Sequence, residues 1–197
     1  DFEAMAALEG LLRAEERWTE VIDVKMQRAE AYDDPAEKVR EYLEAAALWN
    51  DQVGEHDRAT PAYDHILAID PTHDQAFVAL EELHGAAGRS EPLIELYLGR
   101  LETREDTKEK TTILRKVARV FEEQLDDKPQ AFDALLTALE MDFADMEVVR
   151  YLERMTQATN RWPELVSTVN GWLQAQTDPL PRITLSLRLA KWYAEDL

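Results

Sequence analysis

The chain has 197 residues, of which 41 are acidic and 22 basic, for a formal charge of −19. That charge repels nucleic acid and anionic membrane surfaces, whose phosphates demand clustered Lys and Arg. The absence of Cys excludes disulfides, thiolate nucleophiles and Cys-ligated zinc. With only six Gly and eight Pro against 45% hydrophobic residues, the composition is that of a helical protein with a continuous core.

Apolar residues recur every three or four positions from end to end, the period of amphipathic helices, and no strand-like alternation interrupts them. The first helix is predicted over Phe2–Ala14 and the second over Trp18–Tyr32. Asp33-Asp34-Pro35 reads as a helix start, an Asp cap followed by Pro at the first helical position. The third helix is expected over Pro35–Val53 and the fourth over Asp57–Ile69, stopped by Asp70-Pro71. The fifth runs to Ala87, where Gly88-Arg89 closes it, and Ser90 is expected to cap the sixth, Glu91–Glu102. The polar stretch Glu102–Lys110 is read as a connection leading into a seventh helix ending at Glu123 or Gln124. Asp127-Lys128-Pro129 starts the eighth, which ends near Met141, and the ninth is Asp145–Thr159. Asn160 is expected to cap the tenth, Trp162–Gln176, and Asp178-Pro179 starts the eleventh, Pro179–Glu195.

Sliding the chain by 72 residues superimposes it on itself without gaps. Ala7-Leu8 becomes Ala79-Leu80 and then Tyr151-Leu152; Arg17-Trp18 becomes Arg89-Ser90 and then Arg161-Trp162. Ala46 becomes Ala118 and Ala190, and Trp49 becomes Phe121 and Tyr193. Residues 1–197 are therefore expected to form one array, with units at about 1–72, 73–144 and 145–197, each of up to four helices. A start at Asp1 without Met, with helical phase from the first residues, predicts an internal fragment of a longer array. No signal-peptide pattern is present, and a Cys-free chain fits a reducing, cytoplasmic compartment.

The segment Val39–Pro71 resembles a tetratricopeptide repeat. Ala46 and Trp49 match the small and aromatic positions of that family's first helix, and Ala59, Tyr63 and Pro71 match the small, aromatic and proline positions of its second helix and exit turn. Thr111–Phe143 is similar through Ala118, Phe121, Ala131 and Leu135, with Phe143 in place of the proline. The alternate modules match more loosely, and one residue more than the family pattern separates Ala46 from Ala59. The resemblance implies an all-α, right-handed superhelix of about eleven antiparallel helices, and a scaffold that binds protein partners rather than a catalyst.

No HExxH, phosphate-binding Gly loop or GxSxG stands in the sequence. His56, His65, His73 and His84 have no metal-ligand spacing and are expected to be solvated or capping. No catalytic, metal or cofactor residues are assigned.

The resemblance also implies a concave surface lined by the first helix of each pair. Its inward positions carry over to Arg13, Arg40, Asn50, Gln75, Arg115, Arg119, Arg150, Arg154, Gln157 and Lys191. Seven of these ten are cationic in a strongly acidic chain, although Glu3, Glu82, Glu122, Glu123, Glu147 and Glu195 share the strip. Arg115 with Arg119, and Arg150 with Arg154, are four apart and so share a helix face, where they could take a carboxylate bidentately. The expected groove is thus Arg40, Asn50, Arg115, Arg119, Arg150, Arg154 and Lys191, holding an acidic segment or helix of another protein. The competing expectation is that these Arg residues bridge Glu residues of their own module. Rival functions are a spacer or self-association segment of a long repeat protein, associating through its ends, and an accessory region of a multidomain enzyme.

Overall fold

A computed structural model of the chain describes residues 1–195, with side chains through Ala194. Among these residues there are eleven α-helices and no strand: α1 (Phe2–Ala14), α2 (Trp18–Ala31), α3 (Pro35–Leu48), α4 (Thr60–Ile69), α5 (Asp74–Ala86), α6 (Ser90–Thr103), α7 (Thr107–Glu123), α8 (Lys128–Met141), α9 (Met146–Thr159), α10 (Trp162–Ala175) and α11 (Pro179–Glu195). None is long and apolar enough to cross a membrane.

Asp side chains accept backbone N–H groups at the starts of α1, α3, α7, α8 and α9, satisfying donors that the first turn leaves free. The start of α7 falls earlier than the polar stretch suggested. Asp106 accepts from the Glu109 N–H, so Thr107–Lys110 form a solvated first turn rather than a connection. Nor is α3 one helix to Val53. Its last turn widens at Trp49–Val53 into a π-helix, closed by the Gly54 N–H donating to the Trp49 carbonyl at 2.9 Å, and a 3-10 turn, His56–Ala59, leads into α4. Asn160 closes α9 in the left-handed conformation instead of capping α10, whose first turn has no side-chain cap.

The 72-residue period is also written into the backbone. All five described residues with positive φ fall into two sets spaced by that period: Glu16 (56°), Gly88 (64°) and Asn160 (55°), then Gly54 (75°) and Asp126 (51°). Each ends a helix, where a left-handed residue frees the following N–H groups to satisfy the last carbonyls. Glycine tolerates this conformation, whereas a Cβ crowds it. Glu16→Gly and Asp126→Gly are therefore expected to raise stability by about 0.5–1 kcal/mol each, read as an increase in the urea midpoint. An unchanged or lowered midpoint for both would show that the strain at these caps is negligible.

Two compact units emerge, residues 1–96 and 97–197, each with its own core. In the first, α2 packs on α1 and α3, and α4 on α3 and α5, around Ile22, Ala45, Ala46, Ala59 and Ile66. In the second, α8 packs on α7 and α9, and α10 on α11, around Ala118, Ala131, Leu135, Leu152, Leu165 and Trp192. Ala46, Ala59, Ala118 and Ala131 are all fully buried, as small positions must be where helix backbones approach closely. Trp49 and Tyr63 are buried at the matching aromatic positions, and Phe143 packs beside Trp172 with ring centroids 5.7 Å apart.

Candidate functional site

In the second unit, α7 and α9 are joined along one face by charged pairs. The Arg115 guanidinium donates to Glu147 at the start of α9, and both terminal nitrogens of Arg154 donate to Glu122 near the end of α7. Both bridges span 32 residues, so the two helices run side by side in the same direction in that register. The Thr111 hydroxyl adds a third link, donating to the Asp145 carboxylate at 3.1 Å. Glu122 also accepts from the Tyr151 hydroxyl at 2.7 Å, and the Arg154 guanidinium lies 4.6 Å over the Tyr151 ring.

The Arg154 hydrogen bonds hold Glu122 below the usual carboxylate range despite some desolvation. Burial and the Glu122 carboxylate push the Tyr151 hydroxyl well above its ordinary value, so Tyr151 remains a donor throughout the neutral range. These pairs cross between helices, unlike the bridges expected within a module, because the shared register stacks α7 acids beside α9 cations and the reverse.

Between the two bridges lie Arg119 and Arg150. The 32-residue register sets Arg119 opposite the turn of α9 that carries Arg150 and Tyr151. Both are exposed, and neither makes an ion pair or hydrogen bond with another described residue. Two uncompensated guanidinium groups thus stand at one level, framed by two neutralised ones. Farther along, Lys191 of α11 donates to Glu153 of α9 at 3.2 Å, and the Trp192 indole donates to the same oxygen at 2.8 Å.

Arg40 and Asn50 belong to the first unit. Arg40 is exposed and pairs with Glu37 one turn earlier, approaching Glu41 at 3.7 Å. Asn50 sits in the π-helical turn, donating to the Tyr63 hydroxyl at 3.4 Å and lying 3.1 Å from His56 Nδ1. It lines a shallow depression with Tyr63, Glu82 and Leu83. Glu195, expected on the same strip, has its side chain outside the described residues.

Sequence reasoning missed a buried charge cluster in the first unit. Lys25 of α2 is only 1% exposed, and its ammonium lies 3.2 Å from Glu9 of α1, 3.3 Å from Glu41 of α3 and 2.5 Å from Glu44. One turn on, Arg28 reaches Glu9 at 2.8 Å and Glu41 at 2.6 Å, leaving its buried Nε without a partner. Glu9 also accepts from Arg13 at 2.8 Å. Burial alone would push Glu9 up, but the Arg13 hydrogen bond and the Lys25 and Arg28 charges outweigh it and hold Glu9 below its ordinary value.

A signal was available in the sequence. Lys25 falls on the stripe of Val21, Ile22 and Ala29, and the positions one period later are apolar. Lys25 corresponds to Tyr97 and Val169, and Glu41 to Ile113 and Leu185. A charged pair in one unit therefore stands where the other units bury hydrocarbon.

Three histidines fit the expectation of solvated or capping roles; His73, for example, accepts the Ala76 N–H at the start of α5. His84 does not. It is only 6% exposed, with an unpartnered Nδ1, and burial together with the nearby Arg89 charge depresses its pKa. No group of three or more His, Asp or Glu among the described residues could hold a metal ion.

No family model matches the chain, and no curated protein matches it. Among solved structures it is similar to a Podosopora anserina chain described as a kinesin light chain with nearly identical TPR-like repeats. The two share 13% identity over 86% of this chain and 91% of that one, with a TM-score of 0.45. On its own helix pairing, its 72-residue period and its buried small and aromatic positions, the chain is an all-α helical repeat.

Proposed function

We propose that residues 1–197 act as one non-catalytic interaction scaffold, which binds an acidic segment or helix of a partner protein along the first-of-pair helices. The observation that carries this reading is the pair Arg119 and Arg150, unpaired side by side in a chain of charge −19. In a chain so rich in carboxylates, most surface guanidinium groups find an acid, and these two are left to find one elsewhere. Arg115 and Arg154 contribute by holding the flanking turns in register through Glu147 and Glu122. A planar fork on each side suits a carboxylate better than two ammonium groups would. Lys191 is the outlying member of this strip within the second unit, and Arg40 and Asn50 are the candidates of the first unit taken by itself.

The test is binding to an array of acidic 12-residue peptides, each paired with its Asn/Gln counterpart. The intact chain should retain a subset of the acidic peptides, and Arg119→Glu with Arg150→Glu should weaken that retention at least ~10-fold, worth ~1.4 kcal/mol. Because both side chains are exposed and unpaired, the variant should melt like the parent. Equal retention by variant and parent, or by acidic and amide peptides, would overturn the reading.

A further inference from the structure

The two units build one repeated corner differently. In the second, Phe132 of α8 is fully buried and the Arg161 guanidinium lies 4.0 Å over its ring. Arg161 Nε donates to Glu164 at 2.7 Å, just as Arg17 Nε, two periods earlier, donates to Glu20 at 2.6 Å. The middle copy has neither the ring nor the acid. Thr60 stands at the position of Phe132, and Pro92 at the position of Glu20 and Glu164. Ala59 and Ala131, both fully buried just before Thr60 and Phe132, keep the two positions in register. Thr60 Oγ1 and Arg89 Nε are both buried, and neither has a hydrogen-bond partner among the described residues.

In place of that ring the first unit has a cleft of about 410 Å³ between α2, the turns that precede α4, the start of α4 and Arg89. This is the size of a pocket for one small group. Its apolar wall is Ile22, Met26, Trp49 and Ala62, and its polar wall includes Thr60 and Arg89. The Arg58 guanidinium lies 4.3 Å over the Trp49 ring. The cations of the cleft are already matched, Arg58 by Glu55 at 3.2 Å and Arg89 by Asp57, and Asp23 adds a further carboxylate. A charged acid entering the cleft would meet that excess of carboxylates. An uncharged oxygen would not, and it would also complete two polar atoms whose desolvation is otherwise uncompensated.

We infer that this cleft binds an uncharged aromatic ring bearing a hydroxyl, of which a phenol is the simplest. The ring takes the space that Phe132 fills in the second unit. Its oxygen accepts from the Arg89 Nε–H, as Glu20 and Glu164 do for Arg17 and Arg161, and its O–H donates to Thr60 Oγ1. The same chemistry arrives either as a free small phenol or as the tyrosine side chain of a peptide. The site shares no residue with the Arg119–Arg150 strip and does not depend on it.

The probes are p-cresol, toluene, p-toluate and N-acetyl-glycyl-tyrosyl-glycinamide, each titrated into the intact chain by calorimetry. p-Cresol should bind at least tenfold tighter than either toluene or p-toluate. Thr60→Phe supplies the ring from the protein itself, so it should abolish p-cresol binding while melting no lower than the parent. Pro92→Glu gives Arg89 the partner that its counterparts have. It should reduce p-cresol affinity to that of toluene and leave toluene affinity unchanged, which a general loosening of the fold would not do. Peptide binding at least as tight as that of p-cresol identifies a side chain as the source, and exclusion of the peptide with p-cresol retained identifies a free molecule. The inference is overturned if the parent does not bind p-cresol, if p-cresol and toluene bind alike, or if both variants bind p-cresol as the parent does.

Discussion

Replacing Lys25 by Met destabilises the α1–α3 packing by about 3–5 kcal/mol, and adding Glu41→Leu to the same chain returns most of that loss. Lys25 and Arg28 together face Glu9 and Glu41, with the more exposed Glu44 at the edge. Removing Lys25 alone leaves Arg28 shared between Glu9 and Glu41, helped only by the more exposed Arg13 and Arg40, to compensate carboxylates that have given up most of their water. Removing Glu41 as well leaves Glu9 satisfied by Arg28 and Arg13 and fills the space with hydrocarbon, as Val169 and Leu185 do two periods later. Stripping water from a buried pair costs about as much as the attraction between its charges returns, so an apolar replacement of similar volume is expected to fall within about 1.5 kcal/mol of the parent.

Hydrogen exchange of the α1–α3 amides, compared across both single variants and the double variant, measures the coupling directly. Additive losses, with no recovery in the double variant, would mean the pair stabilises the unit outright. The cluster also sets an acid limit. Glu9 has a folded pKa below its unfolded value, so its contribution is complete above the ordinary glutamate value of about 4.3 and is lost as pH falls below that.

Trp192→Ala should cost about 3–5 kcal/mol and release α11 from the second unit. Trp192 is fully buried, its ring centroid lies 6.0 Å from that of Trp162 in an edge-to-face arrangement, and its indole N–H donates to Glu153. Among the described side chains of α11, Leu185 and Leu189 are the other buried apolar ones, and those of Ile183 and Leu187 are mostly exposed. Trp192→Phe keeps most of the burial but loses the indole donor. Its loss should be smaller, about 1–2 kcal/mol, because Lys191 still satisfies Glu153. Protease cleavage between α10 and α11 tests this. The Ala variant should be cut at Thr177–Asp178 under conditions where the parent resists, and equal resistance would show that α11 does not depend on this anchor.

Local signals made most of the helices legible. Asp34-Pro35, Asp127-Lys128-Pro129 and Asp178-Pro179 mark helix starts, because capping and the fixed φ of Pro act within a single turn. The boundaries that moved did so where local signals competed. Asn160 suits both an N-cap and a left-handed C-cap, and its place in the repeat, beside Glu16 and Gly88, selects the second. The stretch Thr107–Lys110 is polar because it is a solvated helical turn, and polarity alone does not separate such a turn from a loop. The π-helical turn of α3 has no sequence signature of its own, since it arises where the connection to α4 must be closed.

What the sequence by itself determined is the helix periodicity, the 72-residue repeat and the small and aromatic packing positions. These depend on spacings of three, four and 72 along one chain, which are measured directly on the letters. The tertiary structure decided which charges are spent and which are free. Arg115 and Arg154 became ties between α7 and α9 while Arg119 and Arg150 stayed open, and Lys25 became the centre of a buried cluster instead of a solvated side chain. Those outcomes depend on the register between helices, 32 residues apart for the α7–α9 ties and 16 for Lys25 and Glu41. A shift of one turn there exchanges a neutralised guanidinium for an available one, and nothing within either helix records which will occur.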